Sequence, residues 1–150
     1  MARKRTGIRR IRLISDIPGI KLVPNIKEKS LEDLAAYQEW KDSYGMGTGT
    51  YPEFLVFREL VRRGFRPFID FEYQSNQLGG RTKLGGAVVD FLLEQSIAGR
   101  VQGEFFHFTT TEEKLINIIQ RRRLEGQGFI VVDMLALEVE NSPSRIVSLF

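Results

Sequence analysis

The 150-residue sequence contains no cysteine, which excludes disulfide bonds and metal sites built on thiolates. Histidine is nearly absent as well, because His107 is the only one in the chain. No apolar run approaches the roughly 18 residues that a membrane-spanning helix needs. The basic N-terminus also lacks the apolar core of a signal peptide. These absences predict an intracellular, cytoplasmic protein that does not engage a membrane.

Charge is distributed unevenly along the chain. Residues 1–29 hold nine basic and two acidic side chains, a net +7, whereas the remainder carries a net −4. Because this first segment lacks helical periodicity, we expect an extended arm with a short strand at 11–14. A basic arm on a mildly acidic body indicates a polyanionic partner, either nucleic acid or an acidic protein surface, although a solvated tail would show the same pattern.

Residues 30–150 predict a single α/β domain in which a mixed sheet of about four strands is flanked by helices. Helices are expected to begin after Ser30 and Thr50, and a further helix follows Thr110 and ends near Gly126. The expected strands are 65–73, 87–93, 100–108 and 129–137, with a turn at 96–99 between the second and third. The last strand is apolar on both faces, as is typical of a buried parallel strand. A short turn or helix is expected from Ser142 onward.

Asp90 is the first candidate for chemistry, because it ends the apolar run Ala87-Val88-Val89. A carboxylate buried there without a partner would cost several kcal/mol. We therefore expect a cation to face it, either a metal ion or one of the basic side chains nearby, namely Arg81, Lys83 and Arg100. An ordinary salt bridge at the sheet edge is the alternative.

Glu53 is the second candidate and lies in the first turn of the helix that follows Thr50. Val56, Phe57 and Leu60 follow it at i+3, i+4 and i+7, a spacing that places the Glu53 carboxylate on the side of the helix that faces the sheet. The alternative is an acid that only complements the helix dipole.

Gln102 and Glu104 alternate on one face of their strand, and Gly103 and His107 lie on the other. A bulge near Gly103 would bring His107 close to Glu104. Taken by itself, a lone histidine among phenylalanines is more often a packed residue than a catalyst.

The order of helix, three strands, helix and strand resembles the PD-(D/E)xK nuclease superfamily, which has the restriction endonuclease-like fold. Gly103-Glu104-Phe105-Phe106-His107 resembles the Gly-x-Phe-Trp-His segment of the very short patch repair endonucleases and related phage nucleases. Residues 128–133 resemble the strand that follows the second core helix in those proteins. The resemblance covers residues 50 to about 148.

The resemblance implies a metal-dependent DNA endonuclease that binds Mg²⁺ or Mn²⁺. Glu53, Asp90 and Glu104 would be the metal ligands, and His107 would assist proton transfer. Gln102 falls where the family has a second acid, and it would orient the water or a phosphate. The basic side chains expected to hold DNA are Arg3, Lys4, Arg5, Arg9, Arg10, Arg12, Arg81 and Lys83.

Gln102 also motivates a second hypothesis, because a neutral amide is a weaker magnesium ligand than a carboxylate. In this alternative the chain is a catalytically degenerate protein with the nuclease fold. It would act as a nucleic acid-binding or structural component, as a homo-oligomer or within a larger assembly such as a phage particle.

Overall fold

The computed structural model describes residues 29–77, 87–103 and 110–150 of the chain. The predicted basic arm, except for Lys29, lies outside the described residues, and so do Arg81, Lys83, Glu104 and His107. The described part is an α/β structure built from one four-stranded mixed sheet and its flanking helices.

Five helices and four strands make up this part of the chain. The helices are α1 (Leu31–Ser43), α2 (Tyr51–Arg62), α3 (Thr111–Gly126), α4 (Ala136–Asn141) and α5 (Pro143–Val147). The strands are β1 (Phe71–Gln77), β2 (Ala87–Leu93), β3 (Ile97–Gln102) and β4 (Ile130–Leu135).

The sheet has the strand order β1-β2-β3-β4. β1 pairs antiparallel with β2, and β2 pairs antiparallel with β3. β4 runs parallel to β3, with Ile97 opposite Ile130 and Gln102 opposite Leu135. The return through α3 makes this parallel pairing possible, because parallel neighbours need a long crossover connection.

α2 is the central helix of the main core. Pro52 in its first turn and a capping box between Thr50 and Glu53 define where it begins,. It buries Phe54, Val56 and Leu60 against aromatic and aliphatic side chains of the other elements. A second, smaller cluster lies under α3 and consists of Val89, Leu92, Ala98, Leu124 and Val131.

The predicted bounds of the first and third strands are wrong, and β3 begins at Ile97 instead of at residue 100. β1 starts at Phe71 and extends to Gln77, because the Asp70 carboxylate accepts a hydrogen bond from the Arg66 backbone and closes a turn there. The turn before β3 lies at residues 94–96 instead of 96–99, and Glu94 and Gln95 adopt positive φ angles of 47° and 59°.

β4 also departs from its prediction. It is parallel to β3 as expected, but it is the edge strand of the described sheet, and Ile130 and Leu135 are 63% and 44% exposed. The predicted strand to residue 137 ends at Leu135, where α4 begins.

Within the described residues, no helix has the length and apolar character to cross a bilayer.

Candidate functional site

Glu53 faces the sheet, as the spacing of its neighbours predicted. Its side chain is 9% exposed. One carboxylate oxygen accepts a hydrogen bond from the Tyr73 hydroxyl of β1 at 2.5 Å, and the same oxygen accepts from the Thr50 backbone N–H at 3.2 Å. The residue therefore completes the helix cap and connects α2 to β1 within a buried environment.

Asp90 is half-buried in the middle of β2 and accepts two hydrogen bonds. The Gln74 amide of β1 donates to Oδ1 at 3.0 Å, and the Val101 backbone N–H of β3 donates to Oδ2 at 2.6 Å. The carboxylate is therefore fixed between both neighbouring strands. Gln74, which lies across from Asp90 between two regular strand pairs, has a φ of 55°. Such left-handed backbone is strained for a non-glycine residue and often occurs at functional sites.

The environment of Asp90 favours its neutral form. Burial raises the pKa of Asp90 to about 7, and the negative charge of Glu53 contributes to the increase. The Val101 N–H, the Gln74 amide and the positive charge of Arg100 act in the opposite direction but do not offset it. Asp90 therefore lies in a poorly solvated place near a second carboxylate, where a bound cation would favour its ionised form,.

Tyr73 donates its hydroxyl to Glu53 and is near enough to Asp90 to be affected by its charge. Burial, its hydrogen bond to Glu53 and the charges of Glu53 and Asp90 all raise the pKa of the Tyr73 phenol. The phenol is therefore neutral and acts as a hydrogen-bond donor. We refer to Glu53, Tyr73, Gln74, Asp90 and the Val101 N–H as the Glu53–Asp90 site.

A second polar group, the Asp133 network, joins β3, β4 and α3. Arg100 is buried and donates from Nε to Asp133 Oδ1 at 2.7 Å, while Arg121 donates from Nη1 to Asp133 Oδ2 at 2.5 Å. Arg100 was one of the cations expected to face Asp90. Its charge does lower the pKa of Asp90, but its hydrogen bonds go to Asp133.

Gln102 belongs to the Asp133 network. Its amide donates to Asp133 Oδ1 at 3.4 Å. Its neighbour Val101 packs against the main core cluster that contains α2. Because adjacent residues of a strand point to opposite faces, Gln102 lies on the face away from Glu53. The charge of Glu53 reaches Asp90 and raises its pKa, whereas the hydrogen bond of Gln102 goes to Asp133.

The described residues contain no group of three or more His, Asp or Glu side chains that could hold a metal ion. Glu53 and Asp90 alone supply two carboxylates, a donor type that Mg²⁺ and Mn²⁺ accept. A complete ligand set would need a further oxygen donor. The sequence prediction assigned that part to Glu104, which lies outside the described residues.

Two residues of the Glu53–Asp90 site, Tyr73 and Gln74, were not predicted from the sequence, and neither was Asp133 of the neighbouring network. Tyr73 and Gln74 fell at or beyond the end of the expected first strand, so their partners were not apparent. Asp133 could have been found from its position in an otherwise apolar strand, which indicates a paired carboxylate.

Comparisons of the chain with protein-family models, curated proteins and solved structures gave no match.

Proposed function

We propose that the chain is a metal-dependent endonuclease of the restriction endonuclease-like fold that hydrolyses phosphodiester bonds in DNA. The observation that carries the proposal is the pair Glu53 and Asp90: Tyr73 of β1 donates to Glu53, its neighbour Gln74 donates to Asp90, and the charge of Glu53 raises the pKa of Asp90. The succession α2, β1, β2, β3, α3, β4 and the mixed sheet agree with that fold.

Glu53 and Asp90 fit a divalent cation such as Mg²⁺ or Mn²⁺, with Glu104 as the third ligand. The two acids lie in a place where burial and mutual repulsion raise the pKa of Asp90. A cation there would offset both negative charges. When bound, such an ion lowers the pKa of an attacking water and neutralises charge on the phosphate.

The residues of the chain itself would position these groups. The Tyr73 hydroxyl fixes the orientation of the Glu53 carboxylate, and the Val101 N–H and the Gln74 amide do the same for Asp90. Such preorganisation is what positions reacting groups in an enzyme. In this proposal His107 exchanges protons with the water or the leaving oxygen, while the basic arm, Arg81 and Lys83 contact DNA phosphates.

The Asp133 network favours a second candidate function. Phe91 pairs with Gly99, so Arg100 is the residue across from Asp90 on β3, and Gln102 is directed to Asp133. A cation and an amide at these β3 positions suit a catalytically inactive protein that keeps the fold. Such a protein would bind nucleic acid or serve as a structural component, alone as an oligomer or within a phage particle.

Cleavage of supercoiled plasmid DNA in Mg²⁺ or Mn²⁺ tests the first proposal. We expect the wild-type chain to nick the plasmid, and Asp90→Asn and Glu53→Gln to lower the rate by roughly 100-fold or more, as is usual for loss of a group that acts at the reacting phosphate. Asp42→Asn is the matched control, because Asp42 is an exposed carboxylate on α1, and it should cleave like the wild type.

A gel-shift measurement on the same proteins separates the two candidates. Equal nicking by the wild type and Asp90→Asn would refute catalysis at this site. Salt-sensitive DNA binding without cleavage would favour the inactive binding protein. A chain that neither cuts nor binds DNA would contradict both nucleic acid functions.

A further inference from the structure

α3 turns a mostly polar face toward the sheet and an apolar face toward solvent, which is the reverse of the usual arrangement for a surface helix. Leu115, Ile116, Ile118 and Ile119 are between 42% and 55% exposed. The residues that are less exposed on this helix are Asn117, Gln120, Arg121 and Leu124, which follow the i, i+3, i+4, i+7 spacing of a single helix face,. Only Leu124 of these is apolar, so α3 presents a mostly polar face to the sheet.

The outward face of α3 is correspondingly apolar. With about 100° between successive residues of a helix, Leu115 and Ile119 lie opposite the sheet-facing row, and Ile116 and Ile118 lie on either side of them. A charged residue lies at each end of this apolar stripe: Glu112 in the first turn of α3 and Arg122 near its last turn. We refer to these six residues as the α3 stripe. An exposed contiguous apolar patch with a polar rim is typical of an interaction surface.

The order of residues in the α3 stripe is self-complementary. If a second α3 packs antiparallel, with the two-fold axis at the level of Asn117, then Glu112 of one copy faces Arg122 of the other. In the same register Leu115 meets Ile119, whereas Ile116 and Ile118 lie on opposite flanks of the helix pair, where each faces its own copy. An isologous interface requires residue i to contact j while j contacts i, and the Glu112–Arg122 and Leu115–Ile119 pairs meet this condition together.

We infer that the α3 stripe is the interface of a homodimer in which two copies of this chain pack their α3 helices antiparallel. The occupant is a second copy because the acid-to-base order of the stripe finds its complement in the same helix reversed. A single pair of helices covers less surface than the roughly 800 Å² per partner of a standard interface. The dimer should therefore form reversibly and depend on concentration.

Analytical ultracentrifugation of the full chain, from micromolar to hundreds of micromolar, tests this inference. We expect a monomer–dimer equilibrium in the wild type. Ile119→Glu should weaken dimerisation at least tenfold, because it places a charge at the centre of the apolar contact. Ile69→Glu is the matched control, since Ile69 is 69% exposed but lies outside the stripe, and it should dimerise like the wild type.

A charge exchange makes the test specific to the antiparallel register. Glu112→Lys alone should weaken the dimer, because it faces Arg122 in both copies, and Glu112→Lys combined with Arg122→Glu should restore it. A wild type that stays monomeric throughout, or a dimer that Ile119→Glu leaves intact, would overturn the inference. A dimer weakened by Glu112→Lys and not restored by the double change would overturn the proposed register.

Discussion

At the scale of single residues, Asp90 is balanced between opposing influences. Two hydrogen-bond donors and the charge of Arg100 favour the carboxylate, while burial and the charge of Glu53 favour the neutral acid. The second set prevails, and the pKa of Asp90 lies near 7 instead of 3.8. A carboxyl group whose pKa is raised by burial and by a neighbouring charge is a candidate for a functional site.

The raised pKa of Asp90 predicts an unusual pH dependence of stability. Between about pH 4 and pH 7 the folded chain binds a proton that the unfolded chain releases, so the free energy of unfolding should fall as pH rises and level off above pH 7. At about 1.4 kcal/mol per pKa unit, a shift of about three units corresponds to a decrease of roughly 4 kcal/mol,. Urea denaturation at a series of pH values measures it.

Asp90→Asn should remove this pH dependence between pH 5 and pH 7. The substituted amide can still accept from the Val101 N–H, and the Gln74 amide can turn to accept from it. Glu59 and Asp70, whose arginine partners lower each pKa to about 2, lose their stabilising effect only at more acidic pH. If Asp90→Asn had the same slope as the wild type in this range, the assigned pKa of Asp90 would be wrong.

At the scale of secondary-structure elements, the Asp133 network holds the crossover together. Asp133 on β4 binds Arg100 of β3 and Arg121 of α3, so one carboxylate joins three elements. Arg100 is 6% exposed. A buried cation that loses its anion is costly, because its desolvation is no longer offset.

Asp133→Asn should therefore lower the free energy of unfolding by on the order of 3 kcal/mol. Asp33→Asn is the matched control, since the Asp33–Arg58 pair is exposed and should contribute less than about 1 kcal/mol,. Urea denaturation at neutral pH compares the two. Equal losses of unfolding free energy in both variants would show that the Asp133 network stabilises the fold no more than an exposed ion pair does.

Two glycines provide a second test at this scale. A Cβ on Gly99 of β3 would lie 2.6 Å from the Phe150 ring, whereas a Cβ on Gly126 of α3 would meet nothing within 4 Å. Gly99→Ala should destabilise by about 1–3 kcal/mol through overpacking. Gly126→Ala should be neutral or stabilising by up to ~1 kcal/mol. Thermal unfolding distinguishes them, and a neutral Gly99→Ala would contradict the packing of Phe150 on β3.

The elements with strong local signals could be predicted from the sequence. α2 begins after the N-cap expected at Thr50, and α3 begins with the capping box expected at Thr110; the structure shows a capping box at both. The turn before β3 could not be predicted, because Glu94 and Gln95 adopt positive φ without the glycine or asparagine that normally marks such a turn,. Gly99 was expected to end this turn. It lies within β3 instead, where the absence of a side chain leaves room for the Phe150 ring.

The candidate site was predictable only in part, for a related reason. Helical periodicity fixed the orientation of Glu53, and an acid after an apolar run identified Asp90. The contributions of Tyr73 and Gln74 depend on where β1 begins and on its pairing with β2. These are long-range features that a local pattern does not encode.

At the scale of the whole molecule, the uneven distribution of charge supports the proposal that the basic arm contacts DNA. Residues 1–29 carry a net +7, opposite in sign to the rest of the chain. Removing residues 1–28 should weaken DNA binding and reduce the slope of log affinity against log salt, because fewer counterions are released. Fluorescence anisotropy with a labelled duplex measures both. An unchanged salt slope would exclude the arm from the DNA contact.

The central claim is that Glu53 and Asp90 form one divalent-cation site. Titration of the full chain with Mn²⁺ above pH 8, followed by electron paramagnetic resonance of the free ion, tests it most directly. We predict saturable Mn²⁺ binding that Mg²⁺ displaces, at least tenfold weaker in Asp90→Asn and unchanged in Asp42→Asn. Identical Mn²⁺ binding by the wild type and Asp90→Asn, or no binding by the wild type, would contradict the account.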